Sequence, residues 1–182
     1  VNVSQIYNEE QLDSFFASSE PANPFWIGGA FQVTSGQEVI PFVFNGIRYL
    51  FILGTPLSEA GDETTLYALC AEFTDGFVPD ENSRVIKFCR ADAIEYHFDP
   101  KKWSLDEPKQ IHQFGAVVST IVERYVLGHP EVQQFFFSPA SDKLGTLYQR
   151  LYRRLNNEGL AGKFLPILEP LGVFNGYQRS QA

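Results

Sequence analysis

The dipeptide Asn45-Gly46 stands between two apolar runs, Val39-Ile40-Pro41-Phe42-Val43-Phe44 and Ile47-Arg48-Tyr49-Leu50-Phe51-Ile52-Leu53. A two-residue link between strands takes a type I′ turn, whose central positions need positive φ, and Asn and Gly tolerate that conformation best. An antiparallel hairpin is the expected result, and one this apolar must be covered to be stable. Helices further along the chain supply the cover. Ile111, Phe114, Val118, Ile121, Val122 and Tyr125 recur at three and four residues, the stripe of an amphipathic helix, and Gly128 and Pro130 stop it. Leu144, Leu147, Tyr148, Leu151 and Leu155 draw a second stripe, with Ser141 or Asp142 as its cap.

The other elements follow from local signals. Asn8-Glu9-Glu10-Gln11 has the form of a capping box and starts a short helix whose apolar face is Leu12, Phe15 and Phe16. Phe25 to Val33 is expected to be extended, Thr65 to Phe73 to form a third strand, and Arg84 to Cys89 and Ala93 to Phe98 two more. Val132 to Ser138, Lys163 to Leu168 and Val173 to Tyr177 complete the strands. No internal repeat or linker divides the chain, and 182 residues suit one domain. The expected fold is a single α+β domain over residues 1–182, an antiparallel meander sheet with helices packed on it.

Charge narrows the partners. A formal net charge of -8 and a pI of about 4.8 repel phosphate backbones, so direct nucleic-acid binding is not expected, and a protein partner is. The sequence has no run of roughly 18 apolar residues of the kind that crosses a membrane, and no secretory leader pattern, so no membrane contact and a cytoplasmic location are expected. Cys70 and Cys89 lie in apolar runs without CxxC spacing and are expected to be buried thiols. His97, His112 and His129 share no ligand spacing, so no metal is expected.

Four groups of residues are candidates for chemistry. Arg150, Arg153 and Arg154, with Lys143 and Lys163 nearby, form the one basic concentration and suit an anionic ligand or an acidic partner face. The competing reading is a solvated helix face with i,i+4 pairing and compensation of the helix dipole. Tyr148 is a core aromatic by its spacing. Glu72 and Glu95 are carboxylates on expected strands, suited to the role of base and equally to the solvent side. Ser138 has no G-x-S-x-G surroundings and reads as a cap or loop residue.

The late unit, a strand ending Phe135-Phe136-Phe137 and then a helix with Leu147-Tyr148-Gln149-Arg150-Leu151, resembles the GNAT N-acetyltransferase layout, in which that helix carries the pattern LYxxLGF. The chain is also similar to a group of proteins common on phages and other mobile elements. Ala116-Val117-Val118-Ser119-Thr120-Ile121-Val122, Phe137-Ser138-Pro139-Ala140 and Leu147-Tyr148-Gln149-Arg150-Leu151 carry that likeness in matching order. The resemblance implies a GNAT-like fold, Tyr148 as general acid with Glu72 or a water as base, and Gln113, Gly115 and Ala116 in the loop that cradles a CoA pyrophosphate.

The sequence departs from the family at that loop. The family form is R/Q-x-x-G-x-G/A, whereas Gln113-Phe114-Gly115-Ala116 lacks a second glycine at the needed offset and follows Asp106 and Glu107, which repel a pyrophosphate. The expected function is therefore a catalytically degenerate GNAT-like protein with no cofactor, acting by protein binding as an accessory or counter-defence factor of a mobile element. The alternative is an acyl-CoA-dependent N-acyltransferase with an atypical loop, for which acetyl-CoA is the cofactor.

Overall fold

A computed structural model describes residues 7–20, 22–71, 77–92, 107–137, 142–158, 164–171 and 174–180. The hairpin forms as its turn demands: β3 (Gln37–Phe44) pairs with β4 (Ile47–Gly54) from Phe44↔Ile47 to Gln37↔Gly54, with Asn45 at φ 51° and Gly46 at φ 76°. The extended stretch before it is two strands, β1 (Phe25–Ile27) and β2 (Phe31–Thr34), both paired with β3. Gly28 breaks them apart. A Cβ there would lie 2.6 Å from Trp26 Cη2 and 2.8 Å from Pro41 Cγ. The Gly28 N–H donates to the Pro41 carbonyl at 2.8 Å, so the side of β3 on which Pro41 lacks a donor faces the interval between β1 and β2.

Ahead of the sheet, α1 (Glu9–Phe15) has the expected capping box. The Gln11 N–H donates to Asn8 Oδ1 at 2.8 Å, and the Asn8 N–H donates to Gln11 Oε1 at 3.0 Å. After β4 come α2 (Pro56–Ala60), capped by Thr55, and α3 (Glu63–Ala71). This second helix corrects the strand expected from Thr65 to Phe73. Asp62 accepts the Thr65 N–H at 2.9 Å and the Thr65 hydroxyl at 2.8 Å, a helix start that the alternating Leu66, Ala68 and Cys70 concealed. Position decides as well, because β4 pairs directly with β5 (Arg84–Arg90) and leaves no slot between them.

The strand order is β1-β3-β4-β5-β6-β8-β7, with β2 also on β3. β6 (Gln134–Phe137) runs parallel to β5, so the sheet is mixed and the all-antiparallel meander does not hold. The reason is the crossover. α4 (Pro108–Gly128) has 21 residues and, at 1.5 Å per residue, spans about 30 Å, enough to carry the chain back past β5 before β6 begins. α5 (Asp142–Glu158) then leads to β7 (Phe164–Leu171) and β8 (Phe174–Arg179), which pair antiparallel, with β8 on β6. The strand expected from Ala93 to Phe98 lies outside the described residues.

Period-two alternation divides the sheet between two layers. Ile40, Phe42, Phe44, Tyr49, Phe51, Leu53, Ile86, Phe88, Phe135 and Phe137 face α4 and α5, while Val39, Val43, Leu50, Ile52 and Cys89 pack with Phe15 and Phe16 of the α1 segment. Of the predicted stripes, Phe114, Val118, Ile121, Val122 and Tyr125 on α4 and Leu147, Tyr148, Leu151 and Leu155 on α5 are buried, Ile111 is half-buried, and the Leu144 side chain lies outside those described. Phe114 is the hub, with ring centroids of Phe42, Phe44, Tyr49 and Phe88 at 5.8, 5.3, 5.2 and 5.6 Å.

Candidate functional site

Tyr148 enters the core from α5 and packs its ring against β5 and β6, with centroids 5.7 Å from Phe88 and 4.6 Å from Phe137. It is 4% exposed, and burial raises its phenol above the ordinary range. It packs where the described parallel pairing ends, since the β5 partners of β6 are Arg84, Val85 and Ile86, and Phe88 lies beyond them. A proton donor needs a path to its substrate, and among the described residues this ring is packed against Phe88 and Phe137. Glu72 and Ser138 lie outside the described residues, as do Glu95 and Lys163.

Gln113, Gly115 and Ala116 lie inside α4 rather than ahead of it. The helix begins at Pro108, with Glu107 as an N-cap that makes no side-chain capping bond, and the Ile111 N–H already donates to the Glu107 carbonyl at 3.1 Å. Beyond the first turn each N–H is bound to the carbonyl four residues back, so the open donors are those of Lys109 and Gln110, beside the Glu107 carboxylate. A pyrophosphate at this helix start would meet that charge.

Gly115 instead brings two helices together. A Cβ on it would stand 3.7 Å from Leu147 Cδ1 and 3.8 Å from Leu151 Cδ2, so α5 lies directly against it. The outer seam of this contact is a groove of about 200 Å³. Ile111, His112 and Gly115 of α4 line one side, and Leu147, Arg150, Leu151, Arg153 and Arg154 of α5 the other. Two sequence candidates read separately, the glycine of the supposed cofactor loop and the arginine row, thus share one site. Leu147 and Leu151 are buried beneath it and Ile111 is half-buried, whereas His112, Arg150 and Arg153 are exposed.

Arg150 and Arg153 do not fit the reading of a self-compensated helix face among the described residues. Arg150 has Thr146, Leu147, Arg153 and Arg154 at three and four residues, and Arg153 has Gln149, Arg150, Asn156 and Asn157. Like charges at that spacing repel, by a few tenths of a kcal/mol per pair. Arg150 and Arg153 make no ion pair among the described residues, and no basic residue occupies the last turn of α5, so the helix dipole does not account for them.

A second polar grouping escaped the sequence reading. Glu38 of β3 points into the α4 side of the sheet, where its Oε2 accepts the Tyr125 hydroxyl at 2.5 Å. Arg84 Nε donates to that hydroxyl at 3.0 Å, and His129 Nε2 lies 3.9 Å from Glu38 Oε1. The His129 ring stacks on Tyr125 at 4.1 Å, with Nδ1 placed 2.9 Å from the Tyr125 carbonyl oxygen. Burial, and after it the bond to Glu38, pushes the Tyr125 hydroxyl pKa up. The available signal was Tyr125 and His129 one turn apart at the end of α4, together with a charge at an inward position of β3.

A cavity of about 510 Å³ opens beside α1, and its cations are engaged: Arg48 with Asp13 at 3.0 Å and Arg90 with Asp92 at 2.5 Å. Among the described residues, no group of three or more His, Cys, Asp or Glu is placed to hold a metal ion, and no helix is long and apolar enough to cross a membrane. Comparison with family models, curated proteins and solved structures finds no match to this chain.

Proposed function

We propose that this chain acts by binding an acidic region of a protein partner through the arginine face of α5, on a GNAT-like scaffold that no longer performs acyl transfer. One observation carries the reading: Arg150 and Arg153 stand exposed, mutually repelling and without carboxylate partners among the described residues, in a chain whose net charge is -8. Such a row costs the isolated domain stability, and a partner's carboxylates offset that cost. The burial of Tyr148 and the helical position of Gln113, Gly115 and Ala116 favour loss of catalysis. The order of hairpin sheet, α4, β6, α5 and a final strand pair supports the GNAT-like ancestry, and with it a role as a mobile-element accessory or counter-defence factor.

Calorimetric titration with acetyl-CoA and CoA tests the loss of transfer: no heat is expected at millimolar ligand, and micromolar binding would restore the N-acyltransferase reading. Capture from host lysate with the wild type and with Arg150→Glu/Arg153→Glu tests the surface. The expected result is a partner retained by the first and lost by the second; a partner held equally by both removes α5 from the proposal.

A further inference from the structure

Resting on that protein-binding reading, we infer that the α4–α5 groove takes an amphipathic acidic helix, whose apolar stripe enters the groove and whose carboxylates meet Arg150 and Arg153. The groove combines two chemistries. Its floor is aliphatic, from Leu147, Leu151 and half-buried Ile111, and Gly115 leaves it a side chain deeper than any other residue would. Its rim is cationic on the α5 side. A purely electrostatic surface needs no such floor, and a purely apolar one needs no arginines.

Size decides between a cofactor and a side-chain anchor. About 200 Å³ falls below the roughly 300 Å³ at which small-molecule sites begin, but it suits aliphatic side chains projected from a peptide. Spacing decides the conformation of that peptide. Arg150 and Arg153 are three residues apart on a helix, which sets their Cβ atoms about 5–6 Å from each other. Carboxylates three or four residues apart on a helical partner have the same separation, and each guanidinium fork holds one of them through paired N–H donors. Leucines on the adjoining stripe then face the floor, the helix-in-groove mode of recognition.

The test is fluorescence anisotropy with the whole chain and labelled synthetic peptides. One peptide is helical, with leucines on one stripe and glutamates flanking it at three- and four-residue spacing. A second has the same composition scrambled so that the stripe is lost, and a third is polyglutamate. The striped peptide is expected to bind at least about tenfold tighter than either control, and Arg150→Gln/Arg153→Gln to weaken it by about tenfold or more. Ile111→Ala, which keeps every charge, is expected to weaken it severalfold. Gly115→Ala raises the floor by one methyl without loss of fold and is expected to act in the same direction. Equal binding of the scrambled peptide, or no binding of the striped one, overturns the helix inference. In either case a partner captured from lysate in an arginine-dependent way leaves the broader reading standing, and micromolar acetyl-CoA binding removes the broader reading itself.

Discussion

The Glu38 cluster and the α5 arginine row are both charged, and α4 borders both, yet they are built on opposite rules. At one end of α4, Glu38, Arg84 and Tyr125 are mostly buried and satisfy one another, with side chains of Glu38 and Arg84 only 14% and 15% exposed. Along the outer side of α4, Arg150 and Arg153 are exposed and have like charges for helical neighbours. Charge that is paired inside the fold contributes to structure, because removing one member leaves the others desolvated and unmatched. Charge left unpaired on a surface costs the isolated protein a little and remains available to something else.

The contrast breaks most visibly at Glu38. Glu38→Ala is expected to destabilise the fold by about 2–3 kcal/mol, read as a lower urea midpoint with an unchanged slope, since the Tyr125 hydroxyl loses its acceptor and Arg84 its ion-pair partner. A stability within a few tenths of wild type would place this cluster with the surface charges.

High pH tests the same rule on the other side of the sheet, where Cys89 lies in an apolar layer that excludes charge. Burial pushes its thiol up to about 12. The unfolded chain releases that proton near 8.5–9, so the folded state binds more protons across the interval, and stability falls as pH rises through it, by up to about 1.4 kcal/mol per unit. Below the unfolded value the contribution is complete. Between about pH 8.5 and 9.5, wild-type urea midpoints are expected to fall more steeply than those of Cys89→Ala, in which Cys70 and the buried tyrosines, also raised by burial, leave a residual slope. Parallel slopes would show that Cys89 is not the linked group.

Smaller effects separate the regions further. Tyr125→Phe removes one hydroxyl from the satisfied cluster and is expected to cost about 1 kcal/mol. In the groove the signs reverse. Gly115→Ala is expected to raise stability by about 0.5–1 kcal/mol, because the added methyl meets Leu147 and Leu151 at ordinary contact distance and helix propensity improves. Arg153→Gln is expected to raise it by a few tenths of a kcal/mol in low salt and by nothing in molar salt, where screening has already removed the repulsion from Arg150. Loss of stability in that variant would mean that Arg153 has a structural partner.

Local chemistry wrote much of the fold legibly. Asn45-Gly46 admits little but a tight hairpin, Asn8 with Gln11 closes a capping box, and the stripes of α4 and α5 match the residues that are buried, down to Tyr148 in the core. Each depends on contacts within a few residues or on one period. Residues 63–71 misled because Leu66, Ala68 and Cys70 alternate like a strand, while Asp62 and the direct pairing of β4 with β5 decide for a helix. The parallel β5–β6 pair was equally invisible, since it depends on where a long crossover returns the chain.

Sequence alone thus determined the turn, the caps, the two long helices and the acidic balance against which three arginines stand out. Tertiary structure decided what those arginines are near. Gly115 and Arg150 are far apart in the chain and line one groove because a helix face without a Cβ lets α5 settle against α4; Glu38, Arg84 and Tyr125 meet because β3 and β5 begin, and α4 finishes, at the same end of their strands. Pairing and burial are properties of distance in space, and local residue patterns do not encode which distant residue will satisfy a charge or leave it open.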